Sequence, residues 1–225
     1  MMKKNKIFVA CDSTNISKIK KIIKETKSPK IKVGYKFGLE FLNSKNGRKY
    51  LSNLKNEIIF ADLKIHDIPN TCVSTIKAIK DLKVNYLTIH ISSGLKALKA
   101  CKKISKKIKL IGVSILTSLD NKAIKEIGYN KNIKKLVLQQ AKLANQAKLD
   151  AIVCSAREVP IVKKVFKKEI ITPGIRFNSK SNDQERVLTP RQAYKNGSDW
   201  LVIGRPITQG NIKKNIKYLI DHLNQ

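Results

Sequence analysis

The chain has 225 residues, enough for one sizeable core, and 47 Lys and Arg against 16 Asp and Glu give it a formal net charge of +31. Its first residues are polar and basic and precede only a short apolar run, too short for a secretory h-region or a membrane span. The four cysteines, Cys11, Cys72, Cys101 and Cys154, are scattered without paired metal-ligand spacing, which argues against a thiolate metal centre and predicts reduced thiols in a cytoplasmic protein.

The first predicted strand, Ile7–Asp12, ends on an acid, and the helical pattern Ile16–Lys24 follows it. A second strand is predicted at Ile31–Gly34, with Lys32 inside it. The third, Ile58–Lys64, carries Asp62 and Lys64 at its end and leads into Asp67, after which Thr75–Leu82 reads as helical. Tyr86–His90, Leu110–Leu116 and Ala151–Ser155 follow as strands, separated by the helical patterns Leu95–Ile108 and Leu136–Ala147. Ile170–Gly174 and Trp200–Gly204 complete the set, with helices at Val159–Phe166, Pro190–Asn196 and Ile212–Leu223. Eight β-then-α units predict an α/β chain with a parallel sheet, which at this length closes most economically into a single (β/α)8 TIM barrel over residues 1–225.

A barrel gathers its working groups at the C-terminal ends of its strands. Polar residues stand at or near each predicted end: Asp12, Lys32, Asp62 with Lys64, His90, Thr117, Ser155, Arg176 and Arg205. Taken singly, His90 reads best as a strand cap or a filler of the barrel mouth, and Ser155 and Thr117 as helix caps. Together they mark one end of the barrel as the site.

The densest cluster is the stretch Asp62 to Thr71. Strand alternation puts Asp62 and Lys64 on one inward face, and Asp67, on the loop beyond, is free to turn back toward the lysine. The result is an ammonium between two carboxylates, a proton donor suited to a reaction that generates a strong base. Pro69 fixes a turn there, and Asn70-Thr71 can cap a new helix. In the last two units Gly174 with Arg176, and Gly204 with Arg205, fall where barrel loops hold phosphate: glycine lets backbone N–H groups approach the anion and arginine adds a charged fork. The polar stretch Phe177–Leu188 reads as a lid, with Asp183-Gln184-Glu185-Arg186 in reach of a bound phosphate.

These segments, from Ala10-Cys11-Asp12 through Lys32-Val33-Gly34, Asp62 to Thr71, Leu116-Thr117-Ser118, Thr172 to Arg176 and Asp183-Gln184 to Ile203-Gly204-Arg205-Pro206, resemble the orotidine 5'-phosphate decarboxylases, in their bacterial branch. The resemblance implies conversion of orotidine 5'-monophosphate to UMP, in de novo pyrimidine synthesis, with neither cofactor nor metal. It implies that Asp12 and Lys32 hold the ribose hydroxyls and the charged network, and that Asp62, Lys64 and Asp67, together with Lys32, are catalytic. Thr117 would lie by the pyrimidine edge, Gln184 would bridge pyrimidine and phosphate, and Arg176, Gly204 and Arg205 would hold the phosphate. It also implies a homodimer in which Asp67 and Thr71 enter the partner's site. Cys11, Phe177 and the lysine-rich lid around Lys180 depart from the commoner pattern.

Two other readings compete. Metal-dependent sugar-phosphate decarboxylases and synthases of the same superfamily carry a glutamate ligand at the end of strand two, where this chain has Lys32, which would repel Mg2+. A basic nucleic-acid-binding barrel rests on charge alone. Only six of the 47 basic residues are arginine, and no aromatic residues are interleaved to stack bases. The charge therefore reads as a solvated lysine coat with some long-range attraction for phosphorylated substrates, and neither nucleic acid nor membrane is an expected partner.

Overall fold

A computed structural model describes residues 4–177 and 188–224. Eight parallel strands close into a barrel in chain order: β1 (Lys6–Ala10), β2 (Lys32–Phe37), β3 (Ile59–Ile65), β4 (Tyr86–His90), β5 (Lys109–Val113), β6 (Ala151–Val153), β7 (Glu169–Thr172) and β8 (Trp200–Ile203). Strand β1 pairs with both β2 and β8, which closes the ring and bears out the expected (β/α)8 architecture. Alternation sorts the strand residues into two layers. Phe8, Phe60, Tyr86, Ile111, Ile171 and Trp200 fill the interior, while Ile7, Val9, Ile59, Ala61 and Leu87 pack outward into the layer shared with the helices.

The base of the barrel is sealed. Phe8 stacks on Trp200 at 4.1 Å between centroids and meets Phe60 and Tyr86 edge-on at 5.0 and 5.2 Å. Below them Glu169 accepts hydrogen bonds from the Tyr86 hydroxyl (2.9 Å), Lys109 Nζ (2.9 Å) and Trp200 Nε1 (3.3 Å). Burial pushes the Glu169 carboxyl up, but these donors and the Lys109 charge outweigh it and hold the group below its ordinary range. The open end is therefore the C-terminal one.

The helices follow from apolar residues at three- and four-residue spacing. In Ile16–Thr26, Ile19, Ile22 and Ile23 are buried, Lys18, Lys20, Lys21 and Lys24 face solvent, and Asn15 caps the start by accepting from Lys18 N–H at 3.0 Å. Each buried isoleucine contributes about 1.5–3 kcal/mol relative to exposure. Gly94–Ser105 repeats the arrangement with Ala97, Leu98 and Cys101 inward. Lysines on outer helix faces are the solvated coat expected from composition. Among the described residues no helix is long and apolar enough to cross a membrane.

Strand β2 is where the fold departs most from expectation. It continues three residues past Gly34, to Phe37. Gly34, at which the predicted strand stops, is a packing residue, because a Cβ there would lie 2.7 Å from the Phe8 ring. Lys32, Gly34 and Lys36 share the inward face, and at ~3.3 Å per residue Lys36 stands roughly 13 Å nearer the mouth than Lys32. Two short helices, Leu39–Leu42 and Gly47–Asn53, occupy the span to β3 where no helix was predicted, and Asn121–Glu126 is a further short helix beyond β5.

Candidate active site

The site is built on an irregularity in β3. Ala61 pairs with Leu87 and Ile65 with Ile89, so Asp62, Leu63 and Lys64 stand opposite Thr88 alone. The bulge adds two residues, an even number, and so preserves the alternation that sends Asp62 and Lys64 to the same face. Lys64 takes a left-handed backbone, φ 48°, within it. The Lys64 ammonium lies 2.7 Å from Asp62 Oδ2, the pair that strand periodicity predicted. Thr88, fully buried on β4, accepts from Lys64 N–H at 2.8 Å and donates to Asp62 Oδ1 at 3.0 Å.

A second lysine completes the array. Lys36, near the end of β2, places its ammonium 3.0 Å from Asp12 Oδ1 and 3.7 Å from Asp62 Oδ2. Asp12, Lys36, Asp62 and Lys64 thus alternate in sign along one wall. Asp62 and Lys36 are largely shielded, whereas the Asp12 side chain is 58% exposed.

This wall faces a cavity of about 330 Å³ at the C-terminal mouth. Phe60, Val113, Ile115, Val153 and Val202 supply apolar surface, and Thr117, Arg176, Gly204 and Arg205 line it as well. Gly174, also on the lining, has φ +73°, a conformation that a side chain would strain. The four-residue array is neutral in sum, so among the described lining residues the two guanidinium groups leave a net positive charge. A flat apolar body carrying a carboxylate toward the lysines and a phosphate toward the arginines matches this layout.

Most of the expected site residues therefore meet: Asp12, Asp62, Lys64, Thr117, Arg176, Gly204 and Arg205 all line one cavity. Lys32 does not. It lies at the start of β2, paired with Lys6 at the opposite end of the barrel, and Lys36 occupies the position assigned to it. The cause is the strand end misplaced at Gly34. Asp67 and Thr71 are exposed and do not line their own chain's cavity. Asp67 Oδ1 accepts from Ile68 N–H at 2.7 Å, beside an Ile68 that is 65% exposed. The helix Pro69–Ala78 starts earlier than predicted, with Ile68 at the cap and Pro69 in the first turn, so Asn70-Thr71 lies inside it and does not cap it. Gln184 and most of the expected lid, residues 178–187, lie outside the described residues.

Several polar groups prove structural. His90 is off the cavity and packs against His66 at 5.1 Å between ring centroids; burial, His66 and Lys64 all lower its pKa. Ser155 accepts from Arg157 N–H at 3.4 Å in the turn before the helix Val159–Val165, whose cap position is taken by Glu158, so Ser155 is a turn residue and not the helix cap expected. Burial, helped by the neighbouring Asp12 charge, pushes the Cys11 thiol up to about 12, which removes it as a nucleophile. Sequence reasoning missed Lys36 and Thr88. Parity along an uninterrupted β2 would have found Lys36; Thr88 is the single aliphatic hydroxyl in the run Tyr86–Ile89.

Known proteins are similar to this chain in architecture and in sequence. The model of the Orotidine 5'-phosphate decarboxylase / HUMPS family matches residues 5–215. The orotidine 5'-phosphate decarboxylase of Wolbachia pipientis subsp. Culex pipiens (strain wPip) is 46% identical over 187 residues, 80% of this chain and 82% of that protein. The protein of the same name from Wolbachia sp. subsp. Brugia malayi (strain TRS) is 41% identical over 223 residues, covering 96% of this chain and 97% of its own. The crystal structure of Orotidine 5'-phosphate decarboxylase from Lactobacillus acidophilus matches with a TM-score of 0.82 at 30% identity, over 99% of this chain and 100% of that one.

Proposed function

Because the chain belongs to the Orotidine 5'-phosphate decarboxylase / HUMPS family, we propose that it is a carboxy-lyase that converts orotidine 5'-monophosphate to UMP in pyrimidine biosynthesis. The observation that carries this reading is the array Asp12, Lys36, Asp62 and Lys64 sharing one apolar-walled cavity with Arg176 and Arg205. The pyrimidine carboxylate lies toward Asp62, whose like charge disfavours the ground state. As the C6–carboxylate bond breaks, CO2 departs and the electron pair stays on C6. The Lys64 ammonium stabilises that carbanion electrostatically and then delivers a proton to it, after which the amine regains a proton from water. Arg176, Gly204 and Arg205 hold the phosphate, Thr117 lies by the pyrimidine edge, and Asp12 and Lys36 take the ribose hydroxyls.

The enzyme acts in the cytoplasm as a homodimer in which Asp67 and Thr71 complete the partner's site. Their exposure at the rim, away from their own cavity, supports that assignment. A metal-dependent sugar-phosphate reading is disfavoured by the donor set, because the residue near the end of β2 is Lys36, whose ammonium repels a divalent cation where a carboxylate ligand would be needed. The deciding experiment is loss of orotidine 5'-monophosphate absorbance in buffer containing EDTA. Undiminished turnover is expected; no turnover, or turnover only on adding Mg2+, refutes the proposal.

A further inference from the structure

Thr88 is the residue around which the β3 bulge closes, and its hydroxyl has a determined orientation. An ionised carboxylate only accepts and a backbone N–H only donates, so the single hydroxyl proton must point to Asp62 Oδ1 while an oxygen lone pair receives Lys64 N–H. At 0% exposure no bulk water competes for either bond. The two bonds act on the two halves of the reacting pair. One holds Lys64 at φ 48°, a backbone that non-glycine residues seldom keep unless their surroundings impose it. The other fixes the rotation of the Asp62 carboxylate, a torsion that is otherwise broad, so that Oδ2 faces both Lys64, at 2.7 Å, and Lys36, at 3.7 Å.

We infer that Thr88 is a positioning residue for the decarboxylation: one hydroxyl, shared between the Lys64 backbone and the Asp62 carboxylate, aims the Lys64 ammonium at the reacting carbon. The inference rests on the proposed function above and adds to it a group that never touches substrate. Thr88 acts on the geometry of the Asp62–Lys64 pair and not on the phosphate or ribose contacts, so its loss falls on kcat and leaves KM nearly unchanged.

The test compares wild type with Thr88→Val, which keeps the shape and removes the hydroxyl, and Thr88→Ser, which keeps the hydroxyl and removes the methyl. Steady-state turnover of orotidine 5'-monophosphate is measured on each, with thermal melts to confirm folding. Thr88→Val is expected to lower kcat about ten- to a hundredfold, as loss of a charge-assisted hydrogen bond implies, with KM within about threefold. Thr88→Ser is expected to stay within about threefold in kcat. If the valine variant does not fold, Thr88→Cys, whose thiol fills the space but bonds weakly, takes its place with the same expectation. The role is overturned if the hydroxyl-free variant keeps its kcat, if the loss appears in KM instead, or if serine falls as far as valine. Wild-type protein without turnover refutes the functional reading itself, and the role with it; active wild type with an undiminished Thr88→Val variant refutes the role alone.

Discussion

Exchanging Lys36 and Lys32 for methionine, one at a time, separates the two lysines that sequence and structure assign to the same task. Lys36 Nζ lies 3.0 Å from Asp12 and 3.7 Å from Asp62, on a side chain that is 13% exposed. At an effective dielectric of about 20, unit charges ~4 Å apart interact by about 4 kcal/mol. Not all of this is lost on substitution. Asp12, at 58% exposure, regains water, whereas Asp62, at 11%, keeps Lys64 as its one counter-charge among the described residues. A net penalty of about 3 kcal/mol follows, and at ~1.4 kcal/mol per factor of ten this is roughly a hundredfold in kcat/KM for Lys36→Met. Lys32, exposed at the sealed end, touches none of these groups, so Lys32→Met should change kcat/KM less than about twofold, the ordinary outcome for a surface site. Both variants are assayed by absorbance on protein shown by melting to be folded. A Lys36→Met enzyme within threefold of wild type, or a Lys32→Met enzyme equally impaired, refutes the assignment.

Arg205→Ala should weaken use of orotidine 5'-monophosphate by roughly ten- to a hundredfold, while the bare nucleoside orotidine, which lacks the phosphate, loses little; equal losses would mark the arginine as structural. Lys64→Ala and Asp67→Ala should each be nearly inactive, yet regain part of the activity when mixed under subunit exchange, because one site of the mixed dimer then holds an intact Lys64 and a partner's intact Asp67. Exchange confirmed by mass without recovered activity would return Asp67 to its own chain. Glu169 has a folded-state pKa below its ordinary value, so its stabilisation is present above the unfolded pKa of about 4.3 and is lost as pH falls through the folded value. Wild type should therefore lose melting temperature more steeply than Glu169→Gln below about pH 4.3, and parallel profiles would show that Glu169 adds no pH-dependent stability.

The barrel was legible because each strand is a compact run of β-branched and aromatic residues, and its closure needed only a count of units. The pairing of Asp62 with Lys64 was legible too, since an even-numbered bulge leaves period two intact. What escaped is information that exists only once strands are neighbours. Gly34 ends nothing; it makes room for Phe8 on the adjacent strand, and without that neighbour the strand stops early and Lys36 disappears from view. Thr88 likewise looks like any strand threonine until three residues of β3 are found opposite it. Leu39–Leu42 and Gly47–Asn53 are too short to show a helical period of their own. Asp67 and Thr71 sit on the outer rim, where one chain alone has nothing for them to touch in its own cavity.

The lysine coat gives ionic strength two opposed handles on this molecule. Two chains that each carry +31 must approach against their own repulsion, so dissolved salt, which shortens the reach of such charges to about 8 Å at 0.15 M, favours the proposed dimer and with it the completed sites. The same screening shortens the range over which a dianionic nucleotide is drawn toward the arginine-lined mouth, and so slows its capture. Dilute buffer should hold a population richer in single chains whose cavities attract substrate strongly but lack the partner's Asp67; concentrated salt should hold paired chains that are complete and less well supplied. Turnover against salt at low protein concentration then passes through a maximum, and raising the protein concentration moves that maximum toward lower salt.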